Sequence, residues 1–239
     1  MERLIERVEG KVVCILLHGK SVAKLEQCPE LLSDPELVIA SLNYFQPVEE
    51  RILSRIGRQL DIVLCTSETE IKKRILGIRE VLERPDYPLF ITTVYALQQI
   101  PKPWEFVADY RSKIILAVKP DPWPRSTRMP PSLVIYLQAL TAANAKRVVL
   151  FGCDGADPTI TVKQQKRSYY RTEMFLDRSR HTEISLDTQF LNTHYIDAIQ
   201  RPLHKIWGRR LEVINCNPAS WVKIFPTCQY TEVGQFLKG

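Results

Sequence analysis

The sequence predicts one α/β domain built on a doubly wound, mostly parallel, Rossmann-like sheet. Short apolar runs of strand length alternate with helix-period segments along most of the 239 residues. Runs that are apolar throughout are typical of parallel strands, because helices cover both faces of such a sheet. Residues 113–151 follow the strand–helix–strand order of a βαβ unit. No linker or internal repeat interrupts the alternation, so we expect a single domain over residues 1–239.

The predicted strands are short apolar runs rich in β-branched side chains. They are residues 11–17, 36–42, 61–65, 88–94, 113–119, 147–151 and 211–216. The predicted helices have apolar residues at helical spacing or begin after a good N-cap. They are residues 22–28, 48–58, 68–83 after Ser67, 133–145 after Ser132, about 195–207, and a last helix near 231–238. Between the fourth and fifth strands we expect a short connection that contains Pro101–Trp104.

Two regions have neither the apolar run of a strand nor the apolar spacing of a helix. Residues 119–131 are dense in proline and therefore cannot form a helix or a central strand. Residues 156–194 are polar without clear periodicity. A long irregular insertion in a compact domain is typically a lid or a disordered loop, and we predict a lid over 156–194.

Composition indicates a water-soluble globular protein, with 45% hydrophobic and 25% charged residues. No apolar run approaches the roughly 20 residues of a membrane span, and the N-terminus has no signal-peptide pattern. We therefore expect a cytoplasmic protein without a membrane span. Six cysteines occur without a CxxC pair or metal-ligand spacing, which favours buried, reduced thiols and no metal site.

The net charge of +6 favours anionic partners such as phosphates and sugar acids. The basic residues form neither a long arm nor a recognisable nucleic-acid module, so we expect no nucleic-acid partner.

Polar or glycine-containing turns follow three of the predicted strands: His18–Ser21, Asn43 and Gly152–Asp154. Ligands of an open parallel sheet bind outside the carboxyl ends of its strands. Gly19 allows close approach of the backbone, and amides at the start of the helix near Ser21 favour an anion. Asn43 has both a donor and an acceptor, and the carboxylate of Asp154 can accept hydrogen bonds from a ribose or a base amine. Alternatively, Gly-Cys-Asp-Gly is only a tight turn, with residues chosen for their dihedral angles.

Further motifs follow in order: Ser132 at a helix start, Ser168-Tyr169-Tyr170 in the lid, "NTHYIDAI" at 192–199 and "INCNPASWVKIFP" at 214–226. Together with the three turns, this ordered set resembles the bacterial sialyltransferases of glycosyltransferase family 42. It is also similar to the related archaeal 6-hydroxymethylpterin pyrophosphokinase-type proteins.

The resemblance implies that a cytidine nucleotide lies across the strand ends. The residues expected to hold it are His18, Gly19, Ser21, Asn43, Ser132, Gly152, Cys153, Asp154, Asn217 and Ser220. Tyr169 or Tyr170 would donate a hydrogen bond to the phosphate and stabilise the leaving nucleotide. The donor would be a CMP-sugar, the acceptor a glycan or a small molecule, and no further cofactor or metal is required. Members of the family also often form homo-oligomers.

The sequence departs from the family at the catalytic base, because the base histidine aligns with Ala198. His194 is the remaining candidate base, since an imidazole titrates near working pH; alternatively it only bonds the backbone at a helix start. Cys153 beside Asp154 has no evident basic partner, which favours a packed thiol over a nucleophile.

Three functions are therefore open. The leading interpretation is a nucleotide-dependent transferase, a glycosyltransferase that uses a CMP-activated sugar. The second is a pyrophosphokinase-like enzyme that uses ATP and Mg²⁺. The third is a non-catalytic nucleotide-binding relative that has lost the base.

Overall fold

A single parallel sheet forms the centre of the molecule. The structure is a computed structural model that describes residues 1–42, 52–86, 88–117, 132–155, 188–193, 195–201, 204–205, 208 and 210–238. Within these residues, seven strands form the sheet in the order β5-β4-β3-β2-β1-β6-β7, and every neighbouring pair is parallel. The strands are β1 (Val12–Leu16), β2 (Val38–Leu42), β3 (Ile62–Cys65), β4 (Leu89–Thr93), β5 (Ile114–Ala117), β6 (Arg147–Phe151) and β7 (Glu212–Asn215).

The strand order reverses at β1. From β1 the chain builds outward to β5, then crosses back and places β6 on the free side of β1. The β1–β6 boundary is thus the topological switch point, where open α/β sheets leave a crevice at their carboxyl edge.

Helices cover both faces of the sheet, as the prediction of a doubly wound fold requires. The α-helices with fully described bounds are α1 (Glu2–Val8), α2 (Glu68–Leu82), α3 (Val94–Leu97), α4 (Pro103–Asp109), α5 (Ser132–Ala142) and α6 (Gly234–Leu237). Cys14 and Leu16 of β1 belong to one core, which also contains side chains of α2, α4 and α6. Val13 and Ile15 belong to the other core, with side chains of α1 and α5. The predicted fold class is therefore confirmed.

Helix α2 illustrates how local sequence sets an element. The hydroxyl of Ser67 accepts a hydrogen bond from Glu70 N at 3.4 Å, so Ser67 is the N-cap, as predicted. Ser67 and Glu70 also have the spacing of a capping box. Ile71, Ile78 and Leu82 lie on one helical face and are buried in the core.

The predicted helix over 22–28 is instead a pair of 3₁₀ helices, Lys20–Glu26 and Pro29–Leu32. Pro29 has no backbone N–H, so one continuous α-helix cannot pass through it without losing a hydrogen bond. Helices α3 and α4 lie where we predicted only a short connection. The Thr93 hydroxyl caps α3 by accepting from Ala96 N at 3.2 Å. Pro103 begins α4, a position where its missing N–H costs nothing.

The predicted lid is described only at its end, where residues 188–193 are helical. Leu191 in this segment is buried in the core that also contains side chains of α5, so this part of 156–194 is packed rather than irregular. Tyr195–Gln200 then form a π-helix where the sequence predicts an α-helix. Residues 156–187, the whole proline-dense region 119–131 and the start of the predicted helix 48–58 lie outside the described residues.

The described part of the chain contains no helix that is both long and apolar enough to span a membrane.

Candidate functional site

The Gly-Cys-Asp-Gly turn lies beside the turn that follows β1, at the switch point of the sheet. Leu16 pairs with Phe151 at the end of the two strands. The ladder continues beyond them, because Leu17 N donates to Phe151 O at 2.8 Å and Gly19 N donates to Gly152 O at 2.9 Å. These backbone bonds bring together two of the three turns predicted to form the site.

Both turns need glycine at their closest approach. Gly152 has φ +76°, a left-handed conformation, and a Cβ there would lie 2.5 Å from the carbonyl oxygen of Leu17. A Cβ on Gly19 would lie 2.5 Å from Asp154 Cγ and would also collide with the carbonyl oxygen of Gly152. The two glycines therefore allow the close contact of the two backbones.

Asp154 joins the two turns to the turn after β7. Its Oδ2 accepts from Ser21 N at 2.9 Å, and its Oδ1 accepts from the Ser21 hydroxyl. Asn217 Nδ2 also donates to Oδ1, at 2.7 Å. The sequence led us to expect an anion at the helix start near Ser21. Within the described residues, the anion at that position is the protein's own Asp154, whose side chain remains partly exposed.

The turn after β7 holds the Gly-Cys-Asp-Gly backbone from the other side. The Ser220 hydroxyl donates to Cys153 O at 2.6 Å, and Trp221 N donates to Asp154 O at 2.8 Å. Asn217 Oδ1 accepts from Ala219 N at 3.1 Å, which orients the amide so that its Nδ2 faces Asp154. The predicted residues Ser21, Asp154, Asn217 and Ser220 are thus part of one hydrogen-bonded group, the Asp154 cluster.

Two predicted residues lie in neighbouring polar contacts. His18 Nε2 lies 2.6 Å from the carbonyl oxygen of Leu42, and because a carbonyl can only accept, this nitrogen carries the proton. His18 therefore connects the ends of β1 and β2. Ser132, at the start of α5, accepts a hydrogen bond from the Thr66 hydroxyl after β3 at 2.7 Å. Both contacts lie at the carboxyl edge of the sheet.

Cys153 does not present its thiol to a ligand. The side chain is buried, and burial, with a contribution from Asp154, raises the pKa of the thiol to about 12. It is a protonated, packed thiol, as the sequence interpretation favoured. Only its backbone participates in the site.

Asn215 and Tyr230 also bond these turns, although neither was predicted as a site residue. Asn215 Nδ2 donates to Cys153 O at 3.0 Å, and the Tyr230 hydroxyl donates to Ser21 O at 2.8 Å. Burial raises the pKa of Tyr230, so its hydroxyl stays protonated as a donor. Tyr230 lies 209 residues from Ser21, and no local pattern indicates the contact.

Four predicted site residues lie outside the described residues: Asn43, Tyr169, Tyr170 and His194. Their roles stay predictions. In the described part of the chain, no group of three or more histidine, cysteine, aspartate or glutamate residues is arranged to hold a metal ion.

The chain matches no family model and no curated protein.

Proposed function

We propose that the protein is a nucleotide-dependent transferase that binds the nucleoside phosphate of its donor across the carboxyl ends of β1 and β6. The proposed donor is a CMP-sugar. The observation that carries the proposal is the Asp154 cluster. It places a partly exposed carboxylate, held by two other turns, at the switch point, which is the usual ligand site of an open α/β sheet. The ordered resemblance to glycosyltransferase family 42 supports the choice of nucleotide.

The cluster restricts which part of the ligand would contact Asp154. A carboxylate offers about four acceptor positions. The amide and hydroxyl of Ser21 and the amide of Asn217 occupy three of them. One position is left for a donor, such as a ribose hydroxyl or a base amine. The charge of Asp154 would repel a phosphate, so the phosphate would lie away from this carboxylate.

The chemical step follows from the residues predicted to surround the donor. The acceptor hydroxyl oxygen would bond to the anomeric carbon while the bond from that carbon to the CMP phosphate breaks. His194 would take the proton of the hydroxyl, and Tyr169 or Tyr170 would donate a hydrogen bond to the departing phosphate. Ala198, at the position of the family's base, favours a second candidate, a nucleotide-binding protein without catalysis.

The test is a thermal-shift screen of the full chain with CMP, CDP, ATP and GTP, each with and without Mg²⁺. At a hundred times its Kd, a ligand of the folded state adds about 2.7 kcal/mol, which raises the midpoint by roughly 5–10 °C in a protein of this size. We expect CMP to raise the unfolding midpoint without Mg²⁺. A shift with ATP and Mg²⁺ alone would support the pyrophosphokinase-like reading instead, and no shift with any nucleotide would overturn the proposal.

Variants then separate binding from chemistry. Asn217→Ala removes one hydrogen bond from Asp154 and should weaken CMP binding about tenfold. Asn144→Gly is the matched control, because Asn144 Nδ2 makes a similar amide–carboxylate bond to Glu9 elsewhere in the molecule and Asn144 has positive φ.

His194→Ala should abolish transfer but leave CMP affinity unchanged. Unchanged CMP affinity in both Asn217→Ala and Asn43→Ala would show that the site is assigned wrongly.

A further inference from the structure

Two thiols lie in contact behind the candidate site. Cys216, which follows β7, and Cys228 are both buried, and their sulfur atoms are 3.5 Å apart. Neither is part of the Asp154 cluster. They belong to the core that contains α2, on the opposite face of the sheet from Cys153.

The backbone imposes this approach. Cys216 N donates to Leu150 O at 2.9 Å, which ties it to β6. Asn215 pairs with Thr227 in a parallel bridge, and Cys228 N donates to Asn215 O at 3.1 Å. The two cysteines therefore follow directly on paired residues of adjacent backbone segments, so their contact does not depend on a flexible surface loop.

The pair also brackets the segment that holds the candidate site. Residues 217–227 lie between the two cysteines and include Asn217 and Ser220, which bond the Asp154 carboxylate and the carbonyl of Cys153. Tyr230, two residues beyond Cys228, donates to Ser21 O. A covalent bond between the thiols would tie both ends of this segment together.

We propose that Cys216 and Cys228 form a reversible disulfide, with a hydroperoxide as oxidant, which makes the segment 217–227 a redox-sensitive support of the candidate site. This inference concerns regulation and does not depend on the identity of the nucleotide.

The difference in burial assigns the roles of the two thiols, because Cys216 is fully buried whereas Cys228 is 4% exposed. The bond from Cys216 lowers the pKa of Cys228, while the same bond and burial raise the pKa of Cys216. The Cys228 thiolate attacks the peroxide, so that an S–O bond forms, the O–O bond breaks and hydroxide leaves. The Cys216 sulfur then attacks Cys228, the S–S bond forms, the S–O bond breaks and water leaves. In sum, two thiols and one H₂O₂ give one disulfide and two H₂O; a dithiol reverses the change and is itself oxidised.

The test uses the full-length reduced protein, treated with one to five equivalents of H₂O₂, alkylated and digested with trypsin without reduction. Cleavage after Arg210, Lys223 and Lys238 separates the two thiols, because the peptides 211–223 and 224–238 each contain one cysteine. We expect these two peptides to be joined, and dithiothreitol to separate them. The unfolding midpoint should rise by roughly 5–10 °C on oxidation, as expected for closure of a short loop.

Cys228→Ser and Cys216→Ser should abolish both the joined peptides and the shift in midpoint. Cys65→Ser is the matched control, since Cys65 is a buried thiol of the same core, and it should change neither. Should either serine variant fail to fold, the comparison of wild type before and after dithiothreitol still decides the question. A bond from Cys216 to Cys14, which lies in the same core, or six intact thiols after treatment would overturn the proposal.

Hydrogen exchange tests the connection to the site. On oxidation, the amides of residues 219–222 should exchange at least tenfold more slowly in wild type and at the same rate in Cys228→Ser. Unchanged exchange in an oxidised wild-type protein would show that the disulfide does not support the candidate site. None of these measurements uses a nucleotide, so their failure is distinct from failure of the proposed function.

Discussion

Single residues decide whether the two turns at the switch point can meet. Gly19 and Gly152 lie where the backbones after β1 and β6 approach, and no side chain fits at either position. Gly152 has positive φ in addition, which any other residue adopts only with strain. The position of Asp154 therefore depends on residues without side chains as much as on its hydrogen-bond donors.

Gly152→Ala should destabilise the protein by about 3 kcal/mol or more, because the strain of positive φ adds to a collision with the carbonyl of Leu17. Gly10→Ala is a matched control: Gly10 has φ +67°, but a Cβ there has nothing within 4 Å. Gly10→Ala should lower the free energy of unfolding by about 1 kcal/mol. Urea denaturation of both variants measures the difference, and equal losses would contradict the steric argument.

At the scale of elements, local sequence decides where helices begin and tertiary contact decides their type. Ser67 caps α2 as its spacing from Glu70 predicts. By contrast, the segment after Gly19 is a 3₁₀ helix whose second amide, Ser21 N, donates to Asp154. That partner lies 133 residues away in the sequence, in the turn after β6.

Ser67→Ala should destabilise the protein by about 1 kcal/mol, because the N-cap bond to Glu70 N is lost. Ser33→Ala serves as control, since its hydroxyl also makes one backbone contact but on an exposed turn. Its effect should stay within about 0.5 kcal/mol. The measured free energies of unfolding of the two variants test this prediction. A larger loss of stability in Ser33→Ala than in Ser67→Ala would contradict the role of the cap.

At the scale of the whole molecule, different groups hold the two ends of the sheet. The Asp154 cluster joins the turns at the carboxyl edge. At the amino edge, Asp61 precedes β3 and accepts from Ile39 N at 2.8 Å and from Arg7 at 3.2 Å. Arg58 pairs with Asp61 at 3.6 Å and donates to Leu37 O at 2.7 Å, as well as to two further carbonyls of the preceding connection.

Arg58→Ala should destabilise the protein by about 2–3 kcal/mol, because it removes a largely buried charged donor from several acceptors at once. Arg55→Ala is the control, since the exposed Arg55 donates to one carbonyl, that of Glu26, and should cost at most about 0.5 kcal/mol. Thermal and urea unfolding of both variants provide the comparison. Similar losses would show that Arg58 does not hold the amino edge.

The sequence predicted the strands well because a buried parallel strand is a local pattern. The run Arg147–Phe151 is a strand over its exact predicted residues, and the other strands lie within their predicted ranges. The two helices α3 and α4 were not predicted, because they are only four and seven residues long and too short to show a helical period. The pattern of apolar runs does not indicate where such a short helix forms.

The candidate site, like the fold, was predicted only in part. The order of apolar runs was enough to predict the α/β class and to identify the residues after β1 and β6 as polar turns at strand ends. It did not indicate that Asp154 accepts from Ser21 and Asn217, that Tyr230 donates to Ser21, or that Cys216 contacts Cys228; these contacts became evident in the folded molecule. The physical reason is range: strand and helix patterns arise from neighbouring residues, whereas the Asp154 and Tyr230 contacts join segments brought together by the strand order of the sheet.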